Sequence, residues 1–154
     1  MLYLIRHAKA GSRSRWTDDD RQRPLTDAGR LQAHLLAERL AEVATGEFVS
    51  SPYLRCMQTI EPLAARHGAA VRADHRLAED TRFAGAMELL AELPDGSVLC
   101  SHGDVIPETI AALERRGCRI LTEPDWRKAS VWVLARNADG IITDASAMAP
   151  PDDD

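Results

Sequence analysis

The feature that most constrains the fold is the apolar run Leu2 to Ile5, which ends abruptly in Arg6-His7. Four consecutive apolar residues are too few for a stable helix, but they suit a strand buried on both faces. Phe48-Val49, closed by Ser50-Ser51-Pro52, has the same character, as does Ser97 to Cys100, closed by Ser101-His102-Gly103-Asp104. Val71 to Ala73 is a weaker strand candidate. Helical spacing lies between these runs. Thr26 is placed to cap a helix over roughly 27–44, with an apolar stripe of Ala28, Leu31, Leu35, Leu36, Leu40 and Val43. Leu54, Met57, Ile60 and Ala64 mark a second helix that stops near Gly68. Ala86, Leu90 and Leu93 mark a third, closed by Pro94-Asp95-Gly96, and Ile106, Ile110 and Leu113 a fourth. Pro107 is tolerated in that last helix because it falls in the first turn. Ser130 to Ala135 and Ile141 to Ala145 read as paired strands around the turn at Asn137 to Gly140. The alternation predicts an α/β protein, a three-layer α/β/α sandwich with a mainly parallel central sheet.

A chain of 154 residues with 45% hydrophobic content fits one domain, expected over 1–149, with 150–154 as a frayed tail. The net charge of -5 gives no bulk attraction to a nucleic acid polymer or an anionic membrane. No stretch approaches membrane-spanning length, and the first apolar run is too short for a signal peptide, so a cytoplasmic location is expected. Three cysteines without CxxC spacing read as free thiols. No HExxH or paired Cys/His spacing points to a metal, and no cofactor is expected.

Ligands of such sheets bind outside the carboxyl ends of the strands. Three motifs fall there: Arg6-His7, Ser50-Ser51-Pro52 followed by Arg55, and Ser101-His102-Gly103. Two arginines and two histidines converging on one sheet edge suit a dianionic phosphate, which accepts several charge-assisted hydrogen bonds. Neutral imidazole is a nucleophile at physiological pH. Within Arg6 to Arg23, six basic residues stand against Asp18, Asp19 and Asp20, so the loop reads either as a local anion site or as a solvated charged segment.

These residues carry a family resemblance. Arg6-His7-Ala8 resembles the Arg-His-Gly signature of the histidine phosphatase superfamily, the phosphoglycerate mutase-like proteins, with alanine for glycine. Ser50-Ser51-Pro52 with Arg55, Gln58 and Thr59 is similar to the second motif of the family, and Ser101-His102-Gly103 to the third. Pro24-Leu25-Thr26-Asp27-Ala28-Gly29 is similar to the segment before its first helix. The likeness covers about residues 2 to 115. It implies a phosphoglycerate mutase-like fold, with His7 as the phosphohistidine-forming nucleophile and Arg6, Arg55 and His102 completing a phosphate pocket. It also implies a carboxylate proton donor after the third strand, for which Glu79 is the candidate and Asp80 the reserve.

The chain is short for that superfamily, with little room for a cap between the third strand and the Ala86 stripe. An open pocket favours a protruding phosphate over an engulfed sugar. The chain resembles the compact SixA-type phosphohistidine phosphatases and, through Arg6 to Ser12 and the run Asp18 to Arg21, the phosphatase domains attached to Nudix hydrolases in actinobacteria. The expected function is a metal-independent phosphatase acting on a phosphomonoester, a nucleotide or a phosphohistidine protein. Lys9, Ser12, Arg13 and Arg21 are candidate contacts to further phosphates, and Trp16 a candidate to stack on a base. A phosphoglycerate-type mutase and a non-catalytic phosphate-binding module are the alternatives. The sequence leaves the oligomeric state open.

Overall fold

A computed structural model describes residues 1–152. In chain order the elements are β1 (Leu2–Arg6), α1 (Asp27–Leu40), β2 (Phe48–Ser50), α2 (Leu54–Arg66) and β3 (Arg72–Ala73). There follow α3 (Ala84–Glu92), β4 (Val98–Ser101), α4 (Val105–Arg115), β5 (Arg119–Ile120), β6 (Val131–Arg136) and β7 (Ile142–Met148). All seven strands join one sheet in the order β3-β2-β4-β1-β6-β7-β5. The β3, β2, β4 and β1 neighbours are parallel, β6 pairs antiparallel with both β1 and β7, and β5 runs parallel to β7. The expected three-layer, mostly parallel sandwich is therefore the fold.

The layers follow from strand alternation. Tyr3 and Ile5 of β1 point with Val98 and Cys100 of β4 into a core shared with α1 and α2. Leu2 and Leu4 point the other way, with Leu99 and Trp132, onto α3 and α4. Every side chain from Leu2 to Ile5 is thus covered on one face or the other, which is why the run carries no polar alternation.

The buried face of α1 differs from the expected stripe. It consists of Gly29, Gln32, Ala33, Leu36, Ala37 and Leu40, whereas Leu31 and Val43 are exposed. Small residues replace large ones on that face because the helix lies hard against α2 and the chain leaving β1. The helix also ends at Leu40, short of the expected 44. β5 has only two residues, one of them exposed, and carries no hydrophobic pattern to read.

The topology sets three chain exits side by side. β4 lies between β2 and β1, with Ser50 opposite Cys100 and Arg6 opposite Ser101. The residues after β1, β2 and β4 therefore leave the same edge on adjacent strands. Of the segment expected to fray, Pro150 is buried and Asp152 accepts a hydrogen bond from Gln32; residues 153 and 154 lie outside the described residues. Among the described residues no helix is long and apolar enough to cross a membrane.

The first exit is fixed by a backbone contact that admits no side chain. A Cβ built on Gly29 would sit 1.9 Å from the carbonyl oxygen of Lys9, and that carbonyl also accepts the Thr26 N–H at 3.0 Å. Thr26 in turn caps α1 by accepting from the Gly29 N–H at 3.1 Å. Gly29→Ala is expected to cost about 1–3 kcal/mol or more of stability in urea unfolding, because backbone must move to admit the methyl. Gly11→Ala, where a methyl meets nothing within 4 Å, is the control and should stay within about 0.5 kcal/mol. Equal stability of both variants would contradict the contact.

Candidate active site

The chain leaving β1 is held in place by hydrogen bonds to β4, α1 and α2. The His7 N–H donates to Ser101 O at 3.1 Å. The Ala8 N–H donates to Thr59 Oγ1 at 2.9 Å, and the Lys9 N–H to Gln32 Oε1 at 2.9 Å. Gln58 Oε1 accepts from Leu25 N at 2.9 Å, tying the segment before α1 to α2. Gln58 and Thr59, two of the residues in the second motif, are thus struts between α2 and the first loop.

His7 is 5% exposed, and its Nδ1 lies 2.8 Å from Ala8 O. A carbonyl only accepts, so Nδ1 carries the ring proton and Nε2 keeps its lone pair. Burial pushes the His7 pKa down from 6.5 to about 3; the Ala8 carbonyl opposes this, and the charges of Arg55, His102 and Arg6 add to it. The imidazole is therefore neutral at physiological pH.

Arg6 donates through Nη1 to Trp126 O at 2.7 Å, while its buried Nε finds no partner among the described residues. The guanidinium lies against Gly103, where an added Cβ would be 2.7 Å from Arg6 Cζ. The glycine of the third motif is thus a seat for the arginine of the first. Burial lowers the Arg6 pKa, and Asp104 opposes the shift.

His102 is 1% exposed, and its ring lies edge-on to that of His7 with centroids 5.6 Å apart. Its Nε2 is 2.8 Å from Ser51 Oγ, which also accepts the Tyr53 N–H at 3.3 Å. That hydroxyl can then donate to Nε2, leaving Nδ1 as the N–H donor, and His102 Nδ1 is buried without a partner among the described residues. Arg55 is fully buried and donates to Asp20 O at 2.9 Å and to Asp20 Oδ2 at 3.2 Å. Its Nη2 stands 3.7 Å from Glu79 Oε1, its guanidinium covers the Tyr53 ring at 4.9 Å, and its Nε is unspent. The three motifs therefore bring three unspent buried nitrogens, on Arg6, Arg55 and His102, to the surroundings of His7.

A cleft of about 340 Å³ opens in front of His7. Arg6, Ser12, Arg13, Glu79 and Asp104 line it, together with Arg23 and Lys128. Arg55 and His102 are not among the residues lining it; both are buried, Arg55 beside Glu79 and His102 beside His7. Glu79 accepts from Arg13 Nη2 at 2.6 Å, which closes a chain of charges from Arg13 through Glu79 to Arg55. Asp80 is exposed, and its N–H donates to Asp104 Oδ2 at 2.9 Å. Arg21 folds back onto Asp19 and is not among the residues lining the cleft. Lys9 lines an adjoining groove instead. The Trp16 indole N–H donates to Asp19 O at 2.9 Å within its own loop. Among the described residues no group of three or more His, Cys, Asp or Glu side chains is placed to hold a metal ion.

Three residues at the site had no separate sequence signal. Arg23 is buried and pairs with Asp20 at 2.9 Å, and Asp20 itself ties Arg23 and Arg55 together. Lys128 comes from the loop before β6; its pKa is lowered by burial and by the charges of Arg6, Arg23, Arg55 and Arg13. A polar residue in a charged loop looks the same in sequence whether it faces solvent or a cleft.

Known proteins resemble this chain in sequence and in fold. The chain is 37% identical over 159 residues to the 8-oxo-(d)GTP phosphatase of Mycolicibacterium smegmatis, covering 99% of this chain but 49% of that protein. The chain thus spans about half the length of the curated relative it matches. The solved structure of the protein histidine phosphatase SixA complexed with tungstate superposes with a TM-score of 0.72 at 20% identity, covering 97% of this chain and 96% of that one. A mycobacterial glucosyl-3-phosphoglycerate phosphatase in complex with VO3 gives 0.66 at 21% identity, covering 96% and 97%. Both likenesses concern the fold. The model of the histidine phosphatase superfamily (branch 1) matches residues 2–83, which hold β1, the basic loop, α1, β2 and α2. With more than half of its length matched, and with His7, Arg6 and Arg55 inside that half, the chain belongs to branch 1 of the histidine phosphatase superfamily.

Proposed function

We propose that this chain is a metal-independent phosphatase that transfers a phosphoryl group to His7 and then to water. One observation carries the reading: His7 is neutral with its Nδ1 proton committed to Ala8 O, and the three residues whose charges bear on it, Arg6, Arg55 and His102, each keep a buried nitrogen without a partner among the described residues. Nε2 attacks phosphorus in line, the P–N bond forms and the bond to the leaving oxygen breaks. Arg6, Arg55 and the His102 N–H balance the charge on the equatorial oxygens. Glu79, at the cleft wall and ion-paired with Arg13 and Arg55, picks up the proton of a monoanionic substrate phosphate and passes it to the leaving oxygen; the restored carboxylate then takes a proton from the water that cleaves the phosphohistidine and hands it to the departing phosphate. Inorganic phosphate departs, and His7 is regenerated.

The substrate class we favour is a nucleoside polyphosphate. Support comes from the named activity of the 37% identical relative, and from Lys128, a cation lining the cleft in addition to Arg6 and to the Arg13–Glu79 and Arg23–Asp20 pairs. A phosphohistidine protein is the second reading, favoured by the short connection of β3 to α3, which leaves the cleft without a cap domain. The absence of a cap also speaks for net hydrolysis over a mutase cycle, which must shield its phosphohistidine from water. Three unpaired, buried cysteines fit the reducing setting of a cytoplasmic enzyme.

His7→Ala is expected to lower hydrolysis of p-nitrophenyl phosphate by a factor on the order of 10³ or more, and to abolish an acid-labile, alkali-stable phosphoprotein in rapid quench. Unchanged turnover would sink the mechanism. Glu79→Gln separates leaving groups. Turnover of an alkyl phosphate should fall about 10²-fold, while that of p-nitrophenyl phosphate, whose leaving group needs no proton, falls less than about 10-fold. Equal losses on both would remove Glu79 from the proton-transfer role.

A further inference from the structure

A second groove, of about 360 Å³, adjoins the cleft and shares Arg6 and Lys128 with it. Its other polar walls include Lys9 and Gln32. Gln32 is 1% exposed, and its amide orientation is fixed: Oε1 accepts from the Lys9 N–H, so Nε2 must face the groove as a donor. An acceptor from the chain itself lies there. Asp152 Oδ1 takes the Gln32 Nε2 hydrogen bond at 2.9 Å, and its Oδ2 stands 3.7 Å from Lys9 Nζ. Those two contacts, with the Gln32 bond foremost, hold the Asp152 carboxyl below its ordinary pKa. A carboxylate is therefore seated on an oriented amide and an ammonium, beside a lysine that already suffers from four neighbouring arginines.

We propose that this groove is a second anion subsite, that it takes a further phosphate of a nucleoside di- or triphosphate whose terminal phosphoryl group lies at His7, and that Asp152 fills it in the free protein. The assignment of ligand rests on the phosphatase reading above; the anion site itself does not. The Lys9 and Asp152 side chains are partly exposed, so their pairing is weak and reversible. A phosphate offers more charge and more acceptor oxygens to Gln32, Lys9 and Lys128 than one carboxylate does, and displaces it. Asp152 then acts as an internal competitor: it raises the concentration of polyphosphate needed without touching the group that reacts.

The test is calorimetric titration with inorganic pyrophosphate and with inorganic phosphate. Asp152→Ala should bind pyrophosphate roughly 2–5-fold more tightly than wild type, the range of one exposed ion pair. Phosphate, which needs only the His7 pocket, should bind unchanged. Adding Lys9→Ala to Asp152→Ala should weaken pyrophosphate again by a similar factor. In turnover, Asp152→Ala should lower KM for a nucleoside diphosphate and leave KM for p-nitrophenyl phosphate as it was. Pyrophosphate affinity equal in wild type and Asp152→Ala, or an equal gain for phosphate, overturns the proposal. Pyrophosphate binding is read without turnover, so this binding pattern in a chain that hydrolysed no phosphomonoester would support the subsite while overturning the catalytic reading.

Discussion

The main chain of Ala8 and Lys9 is bound on every side by groups from other elements. Thr59 of α2 takes the Ala8 N–H, buried Gln32 of α1 takes the Lys9 N–H, and Thr26 donates to the Lys9 carbonyl. That leaves the Ala8 carbonyl aimed at His7 Nδ1. An imidazole has two nitrogens and one proton when neutral, and this single acceptor decides which nitrogen is free. Gly29 permits the approach, because any side chain there would occupy the position of Lys9 O. The reactive face of His7 thus depends on a packing contact between a helix and a loop, made by residues that never face the cleft.

Electrostatics around His7 follow from the same crowding. Arg6, Arg55 and His102 surround it, and burial denies it compensating water, so the ring stays unprotonated. Arg55 is kept in place by two carboxylates. Asp20 ties Arg55 to Arg23, and Glu79 bridges Arg13 and Arg55. The basic loop between β1 and α1 therefore does two jobs. It brings Arg13 and Arg23 to the cleft, and it supplies the acid that anchors the deepest cation.

Much of the fold was legible because strands buried on both faces must be continuously apolar, and Leu2 to Ile5 and Val98 to Cys100 are. The pairing of Ser130 to Ala135 with Ile141 to Ala145 was readable from a turn at Asn137 to Gly140. The face of α1 was not. Hydrophobicity pointed to Leu31 and Val43, but close approach selected Gly29, Ala33 and Ala37, with Gln32 chosen for its hydrogen bonds. β5 escaped because a two-residue strand has no period. At the site, residues at the ends of apolar strands were readable, since topology alone carries Arg6, His7 and His102 to one edge. Lys128, Arg23 and Asp20 were not, because their positions depend on how loops fold back. Of the loop residues named from sequence, Arg13 and Ser12 line the cleft, Lys9 lines the neighbouring groove and Arg21 pairs with Asp19.

Nucleophilic attack by His7 requires one protonation state and one tautomer of its ring. Nitrogen-15 NMR of histidine-labelled protein reads both at once, with His7 assigned by its loss in His7→Asn. The expected spectrum has the proton on Nδ1 and a bare Nε2, unchanged down to about pH 5 and titrating only far below the ordinary 6.5, at about 3. A His7 ring carrying its proton on Nε2, or one that becomes cationic near pH 6, would contradict the account.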